Sequence, residues 1–437
     1  MKMTAAEAAV AILEHKGVKH VWGMPGAAIL PVFDAIFRRG NIKSYVIRHE
    51  QTAVFAADGW ARVTRTPRVC MVTSGPASTN LVTGLYGALF DRIPLIAFTG
   101  QVNVALLNKG AFQEAPTPEV VKAVTKAVFQ PHSGEELVEA VYDAWRIAME
   151  TPMGPVLIDL PLDVQLQEVE LDLREDPPAP ELPRATEAEV TQAVEMILAA
   201  ERPTILAGGG IILGEAVAEF RALVEATGLP AVQTYMGRGA IPADHPLYAG
   251  AIGTSCNTPL GNEVFNGTDL IVNLGGRFAD HSVGLPKELK EHAKVIHVNI
   301  NPEMLGLMVD TELGIAADVK DFLPRLQEAL LERGKKVDDF RTCELAVHFA
   351  KRKAELDRPT EFDSEYVKPQ EAIARMRRFL ERDAIITHDC GVSQIWSAQF
   401  LEVYEPRTYL VTGGAGTMGW GLGAAIGAKM ARPEAQV

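Results

Sequence analysis

Short runs of apolar residues, each closed by a glycine or proline turn and followed by a helical pattern, recur along nearly the whole chain. VKHVWGMPG (18–26) reads as a strand and glycine turn, and ILPVFDAIFRR (29–39) as a helix. YVIRHE (45–50) reads as a strand whose end, Val46 and Ile47, is buried, and QTAVFAADGWARVT (51–64) as the next helix. RVCMVTSGP (68–76) gives a strand and turn, STNLVTGLYGALFD (78–91) a helix, and PLIAFTG (94–100) and PVLIDLP (155–161) further strands. Strands written as continuous apolar runs are buried on both faces, and their alternation with helices calls for a parallel sheet covered on each side. The expected fold class is α/β.

At 437 residues the chain exceeds what one hydrophobic core organises. Three doubly wound parallel-sheet domains are expected. The first takes residues 1–168. Residues 169–187, acidic and proline-rich (VELDLREDPPAPELPRAT, 169–186), read as a linker. A second α/β pattern, with PTILAGGG, DLIVNLGGRF and KVIHVNI as its strands, fills 188–335, and a charged, helix-prone connection follows over 336–366. The third domain, 367–437, opens with a helix and a strand (KPQEAIARMRRFLERDAIITHDCG). It runs to a glycine-rich turn, a helix of small residues, and PEAQV, read as the entrance to another buried strand. One or two strands make a poor core, so this domain is expected to be incomplete.

The charge balance, 42 basic against 56 acidic residues for a net of −14, argues against nucleic acid or an anionic membrane as partner. Four scattered cysteines (Cys70, Cys256, Cys343, Cys390), without a CxxC, suit a reducing compartment and read as small core hydrophobes. The N-terminal MKMTAAEAAVAILEHKG is helical in rhythm and carries acids, unlike a signal or transit peptide. No apolar run reaches the roughly 18 residues of a membrane span. A cytoplasmic location is expected.

Some stretches carry chemistry. Glu50, directly after Arg48 and His49, is read as aimed into apolar surroundings at the mouth of a sheet, where desolvation would raise its pKa and let it share a proton near neutrality. An ion pair with Arg48, or a plain helix N-terminal acid, is the alternative. TSGPASTN (73–80) and GMPGAA (23–28) are turns that present backbone N–H groups at the carboxyl edge of a parallel sheet. GGGIILG (208–214) follows a strand and opens a helix, as phosphate-binding glycines do, yet lacks a clear ribose-binding acid about 20 residues on. In GGAGTMGWGLG (413–423), Met418 is a poor choice for a plain turn and a good one for an apolar wedge under a flat ring. FQE (112–114) lies in a polar loop. No HExxH, Walker A sequence, GxSxG or paired Cys/His set occurs.

Taken together, PGAA (25–28), RHEQ (48–51), TSGP (73–76), TGQV (99–102), AFQE (111–114), GPVLIDLPLDVQ (154–165), GGRFAD (275–280) and GGAGTMGWGLGAAIGAK (413–429) resemble the thiamine-diphosphate-dependent carboligases, the family of acetolactate synthase and glyoxylate carboligase. The resemblance implies the three-domain fold of those enzymes and decarboxylating carboligation of 2-oxo acids. It makes Glu50 the acid that hydrogen-bonds the cofactor's aminopyrimidine, and Met418 the residue that bends the cofactor so that its exocyclic nitrogen meets the thiazolium carbon. Pro25, Gly26, Pro76, Asn80, Gly391, Val392, Ser393, Gly414 and Gly416 are the further thiamine diphosphate positions it implies. Gln113, with Phe112, would line the substrate pocket, Gln113 as a catalytic residue, and Gly26 and Ala27 would approach from a partner subunit. A homodimer or homotetramer follows, with each active site between the first domain of one chain and the third of another, and a regulatory subunit is a further implied partner. Gly208, Gly209, Met236, Gly237, Gly253, Arg277 and Asp318 are the implied FAD positions, the FAD being structural.

The sequence departs from the family in places. DCGVSQIW (389–396) has Val392 and Ser393 where acetolactate synthases usually carry Gln and His. That stretch, PGAAI and MGRGAIPADH (236–245) lean toward glyoxylate carboligase, whereas Glu50 and the 413–429 segment lean toward acetolactate synthase, the first choice. The family's Mg²⁺ motif, Gly-Asp-Gly with a later Asn, is absent, and its ligands are expected beyond residue 437. On that ground the chain by itself is expected to be inactive. A non-catalytic FAD-binding or assembly homologue is the alternative of another class.

Overall fold

The computed structural model describes residues 1–284, 293–333 and 339–437; the side chains of 339–343, Cys343 included, and the expected boundary at 335 and 336 lie outside the described residues. The first sheet has six parallel strands. Their spatial order is Lys43–Val46, His20–Met24, Arg68–Val72, Leu95–Gln101, Pro155–Pro161 and Ala127–Phe129. The continuous apolar strands are buried on both faces, as their composition requires. One core joins Ala5–His15, Leu30–Arg39 and Gly134–Met149 to the sheet, and a second joins Glu50–Thr64 and Val82–Asp91.

The end of the strand at Val46 and Ile47 is not buried as its apolar residues suggest. Val46 is 62% exposed and Ile47 only half-buried, because Lys43–Val46 is an edge strand with a single neighbour. An apolar run at an edge does not ensure burial.

The second sheet is also six-stranded and parallel, in the order Tyr248–Ala251, Ala231–Gln233, Pro203–Ala207, Leu270–Leu274, Lys294–Asn299, Leu313–Ala316. Counted along the chain this is 3-2-1-4-5-6, the order of dinucleotide-binding sheets, which bind ligands where the strand order reverses. Within 169–187 the chain is mostly irregular. Its first residues, with Glu168, form the strand Glu168–Glu170, paired antiparallel with Lys2–Thr4.

In the third segment Ile386–Thr387 pairs in parallel with Tyr409–Leu410, among the helices Pro369–Arg377, Val392–Phe400 and Trp420–Ala431. The expected strand at PEAQV does not form. Residues 433–435 turn, and one bond from Ile385 N to Gln436 O (2.8 Å) aligns them beside the short sheet. The helix Trp420–Ala431 crosses Glu50–Thr64 at backbone contact: a Cβ at Gly59 would fall 2.2 Å from Ala424 O, and one at Gly427 1.9 Å from Ala56 O. The 413–419 turn that precedes the helix lies against Val82–Asp91, with Gly413 beside Met236.

Candidate active site

The strand order of the first sheet reverses between His20–Met24 and Arg68–Val72, and the two turns that leave those strands touch. A Cβ on Gly26 would lie 2.6 Å from the Thr73 side chain, so the PGAA turn sits directly against TSGP. Gly75 (φ 63°) packs under Gln113, whose backbone oxygen would be 2.9 Å from a Cβ there. Gln113 itself has φ 56°, a left-handed conformation that costs a non-glycine residue about 1–2 kcal/mol and is found at sites where geometry outranks stability. Its loop is closed by Glu114, whose carboxylate accepts the Asn108 and Ala111 backbone N–H groups. Phe112 stands 88% exposed on the same loop.

Glu50 opens the helix Glu50–Thr64, and the Nδ1 of its N-cap His49 accepts the Gln51 N–H at 3.3 Å. The dry pocket expected around Glu50 is not what this chain alone forms: the residue is half-buried, and the apolar face of its helix begins only at Ala53. Among the described residues no ion pair joins it to Arg48. Its Oε2 accepts from Asn80 Nδ2 at 2.9 Å. Glu50, Pro76, Asn80, Gly26 and Gln113 therefore gather at one carboxyl edge.

Asp159, at the same edge, was not singled out by sequence. Its Oδ1 accepts Thr99 Oγ1 (2.6 Å), and its Oδ2 accepts Gln101 Nε2 (3.0 Å) and Gln130 Nε2 (2.8 Å). Gln101 also donates to Ala115 O, tethering the loop that carries Gln113. Burial pushes the Asp159 carboxyl up to about 6, against the pull of those three hydrogen bonds. Because the folded value lies above the unfolded one, the associated stability is complete below about pH 4 and lost as the pH rises through 6. The rise corresponds to about 3 kcal/mol. Asp159→Asn should remove that slope. Between about pH 4 and pH 7, unfolding titrations should show the natural protein losing about 3 kcal/mol relative to the variant.

In the third segment, Gly391 (φ 143°) leads into Val392–Phe400 with no side-chain cap, and a Cβ there would meet nothing within 4 Å. Val392 and Ser393 begin that helix. Met418 is 68% exposed, between Gly416 (φ 59°) and Gly419 (φ 77°). His388, just before this stretch, packs on Tyr409 with ring centroids 4.7 Å apart; burial, helped by the charge of Arg238, pushes its pKa down to about 4 and keeps it neutral.

A cleft of about 310 Å³ opens at the switch point of the second sheet. Its lining includes Gly209, Met236, Gly275, Arg277, Asp318 and Gly413. Four residues expected around FAD thus share one cavity. Gly208 and Gly237 lie behind it as close-packing glycines: a Cβ on either would fall 2.2 Å from backbone, of Gly276 and Ala207 respectively. Gly253 (φ 153°) lies outside the lining, beside His281 O. Ala27 lines a separate surface pocket with Leu30 and Leu166. Among the described residues no three His, Cys, Asp or Glu side chains are grouped to hold a metal ion, and no helix is long and apolar enough to cross a membrane.

Two parallel sheets with glycine turns at their switch points, one of dinucleotide-binding order and one gathering an acid and amides, define an α/β protein with a cleft or turn cluster at the carboxyl edge of each sheet, where folds of this class bind ligands. Residues 3–120 match the thiamine pyrophosphate enzyme N-terminal TPP binding domain, 190–326 the central domain of those enzymes, and 389–437 their C-terminal TPP binding domain. The chain belongs to the thiamine pyrophosphate enzyme family. It is 36% identical to a glyoxylate carboligase of Escherichia coli O157:H7 and 38% identical to a probable acetolactate synthase large subunit of Methanocaldococcus jannaschii. It is also 38% identical to the acetolactate synthase isozyme 1 large subunit of Escherichia coli K12. Each alignment covers all of this chain and 74%, 75% and 76% of the respective relative.

Proposed function

We propose that this chain is a carboligase that uses thiamine diphosphate to join 2-oxo acids with loss of carbon dioxide, making 2-acetolactate from two molecules of pyruvate. The observation that carries this reading is the meeting of Glu50, Asn80 and Gln113 at the first switch point in a member of this family.

The residues fit the cofactor. The uncapped N–H groups after Gly391, in Val392 and Ser393, suit a pyrophosphate. Gly414 packs against Phe90 and Gly416 against Cys390, both also lining the second cleft, and exposed Met418 offers an apolar support for a ring. When bound, thiamine diphosphate supplies the carbon nucleophile and the electron sink for decarboxylation. Glu50 holds and shares a proton at Oε1 or Oε2, and Asn80 fixes the direction of that carboxylate. Pro25, Gly26 and Pro76 shape the surrounding turns, with Ala27 next to Gly26 on the same turn, while Gln113 and Phe112 orient the 2-oxo acid. Exposed Phe112, Val392, Met418 and Leu422 support a second copy covering this face, as homodimer or homotetramer. Mg²⁺ would accompany the pyrophosphate, and a regulatory subunit agrees with relatives named as large subunits.

FAD is the reading for the second cleft, supported by its dinucleotide strand order and by Gly209, Met236, Arg277 and Asp318 in its lining. Glyoxylate carboligase is the second reading, supported by a relative of that name matched along the whole chain. The relatives speak for an enzyme and give no support to an inactive homologue. The test is direct. The intact protein with thiamine diphosphate and Mg²⁺ is expected to convert pyruvate to acetolactate. Tartronate semialdehyde from glyoxylate, with pyruvate untouched, would transfer the assignment to the second reading, and neither product would remove both.

A further inference from the structure

Asp91 ends the helix Val82–Asp91, and its side chain is fully buried. No apolar environment tolerates a lone carboxylate, so its partners matter. Oδ2 accepts Arg62 Nη2 (2.8 Å) and the backbone N–H of Gly413 (2.9 Å); Oδ1 accepts the N–H of Gly414 (3.0 Å). Arg277 Nη2 stands 3.8 Å from Oδ1. Arg62 is itself fixed by Asp58 and by Val411 O (2.8 Å), with its guanidinium 5.0 Å from the Trp420 ring. Two carboxylates and two guanidiniums thus neutralise one another around one segment of backbone.

That segment is the entry to the Met418 turn. It lies along the Asp91 helix: a Cβ on Gly414 would fall 1.8 Å from Phe90, and Thr417 packs over Gly87. At the far end Asp389 accepts the N–H of Gly419 (2.7 Å) and of Gly421 (3.1 Å). Consecutive N–H groups converging on one carboxylate fix two peptide planes at once. The turn is therefore clamped on both sides of Met418.

We propose that Asp91 is a positioning residue: by holding the Gly413 and Gly414 N–H groups it sets the path of the turn that presents Met418 to thiamine diphosphate. The inference rests on the proposed function. Asp91→Asn keeps the shape but offers only one acceptor atom where two N–H groups and Arg62 Nη2 now point, so the turn should lose its register.

The test measures thiamine diphosphate affinity, with Mg²⁺ present, by fluorescence titration of the intact protein, beside Leu13→Ala. Leu13 is buried in the first core on a helix remote from the turn, so its truncation destabilises without touching it. Asp91→Asn is expected to raise Kd roughly tenfold to a hundredfold, the usual effect of removing an orienting partner, while Leu13→Ala leaves it unchanged. Equal Kd in Asp91→Asn and the natural protein, or the same rise in both variants, would overturn the proposal but leave the function intact. A natural protein that binds no thiamine diphosphate overturns both. Should Asp91→Asn not fold, hydrogen exchange of the natural, cofactor-free protein decides: slow exchange at Gly413 and Gly414 supports the clamp, and exchange at open-loop rates defeats it.

Discussion

Glu50→Gln should lower carboligation by about a hundredfold to ten-thousandfold, the range for removing a positioned proton-transfer group. The substitution conserves volume and keeps an oxygen that can accept from Asn80 Nδ2, now 2.9 Å from the carboxylate. The fold should therefore be untouched. Glu50 lies at the first turn of its helix, half-buried, and the packing of that helix depends on Ala53, Val54, Ala56 and Ala57 further along. Loss of the acid does weaken one term, the attraction between a negative charge and the helix N-terminus, by about 0.3–1 kcal/mol. A melting curve close to that of the natural protein, together with retained thiamine diphosphate binding and collapsed turnover, is the expected combination. Undiminished turnover would show that no proton passes through this side chain. A collapse accompanied by unfolding would mean that the acid is structural.

The fold was legible where burial is two-sided. RVCMV and PVLIDLP announce central strands because their apolar runs suit two-sided burial, and each is wholly buried, the charged Arg68 and Asp159 included. Edges were less legible. Ala127–Phe129, Tyr248–Ala251 and Leu313–Ala316 are short strands at or near sheet margins whose residues need satisfy only one neighbour, and Val46 shows the opposite error, an apolar residue at an edge that faces out. The candidate site divides in the same way. Glu50, Gly26, Gly75 and Gln113 lie in compact motifs whose glycines are demanded by contacts the turns must make. Asp91, Arg62 and Asp389 had no such signal. Asp91 and Gly413 are 322 positions apart, and a carboxylate at the end of an apolar helix reads as an ordinary surface acid until the fold buries it.

Gly427→Val should have the largest effect on stability. The helices Glu50–Thr64 and Trp420–Ala431 approach so closely that even a Cβ at Gly427 would lie 1.9 Å from Ala56 O and 2.9 Å from Trp60 N. Those atoms are backbone and cannot rotate away, so the helices must part. Gly59, Gly423 and Ala424 share the crossing, and a Cβ at Gly423 would already sit 2.7 Å from the Phe55 Cβ. Parting the helices also strains the Arg62 bond to Val411 O and the Asp91 bonds to Gly413 and Gly414, which bridge the same two units. Overpacking of a side-chain contact typically costs about 1–3 kcal/mol; against rigid backbone, with a hydrogen-bonded network alongside, about 3 kcal/mol or more is expected. Gly419→Ala is the control, since its Cβ would meet nothing within 4 Å and only its left-handed φ of 77° resists, at a cost of about 1–2 kcal/mol. Denaturant titration of both variants measures the difference. If Gly427→Val were as stable as Gly419→Ala, the two helices could not cross at backbone contact, and Glu50 and Met418 would not be brought to neighbouring ends of one packed pair.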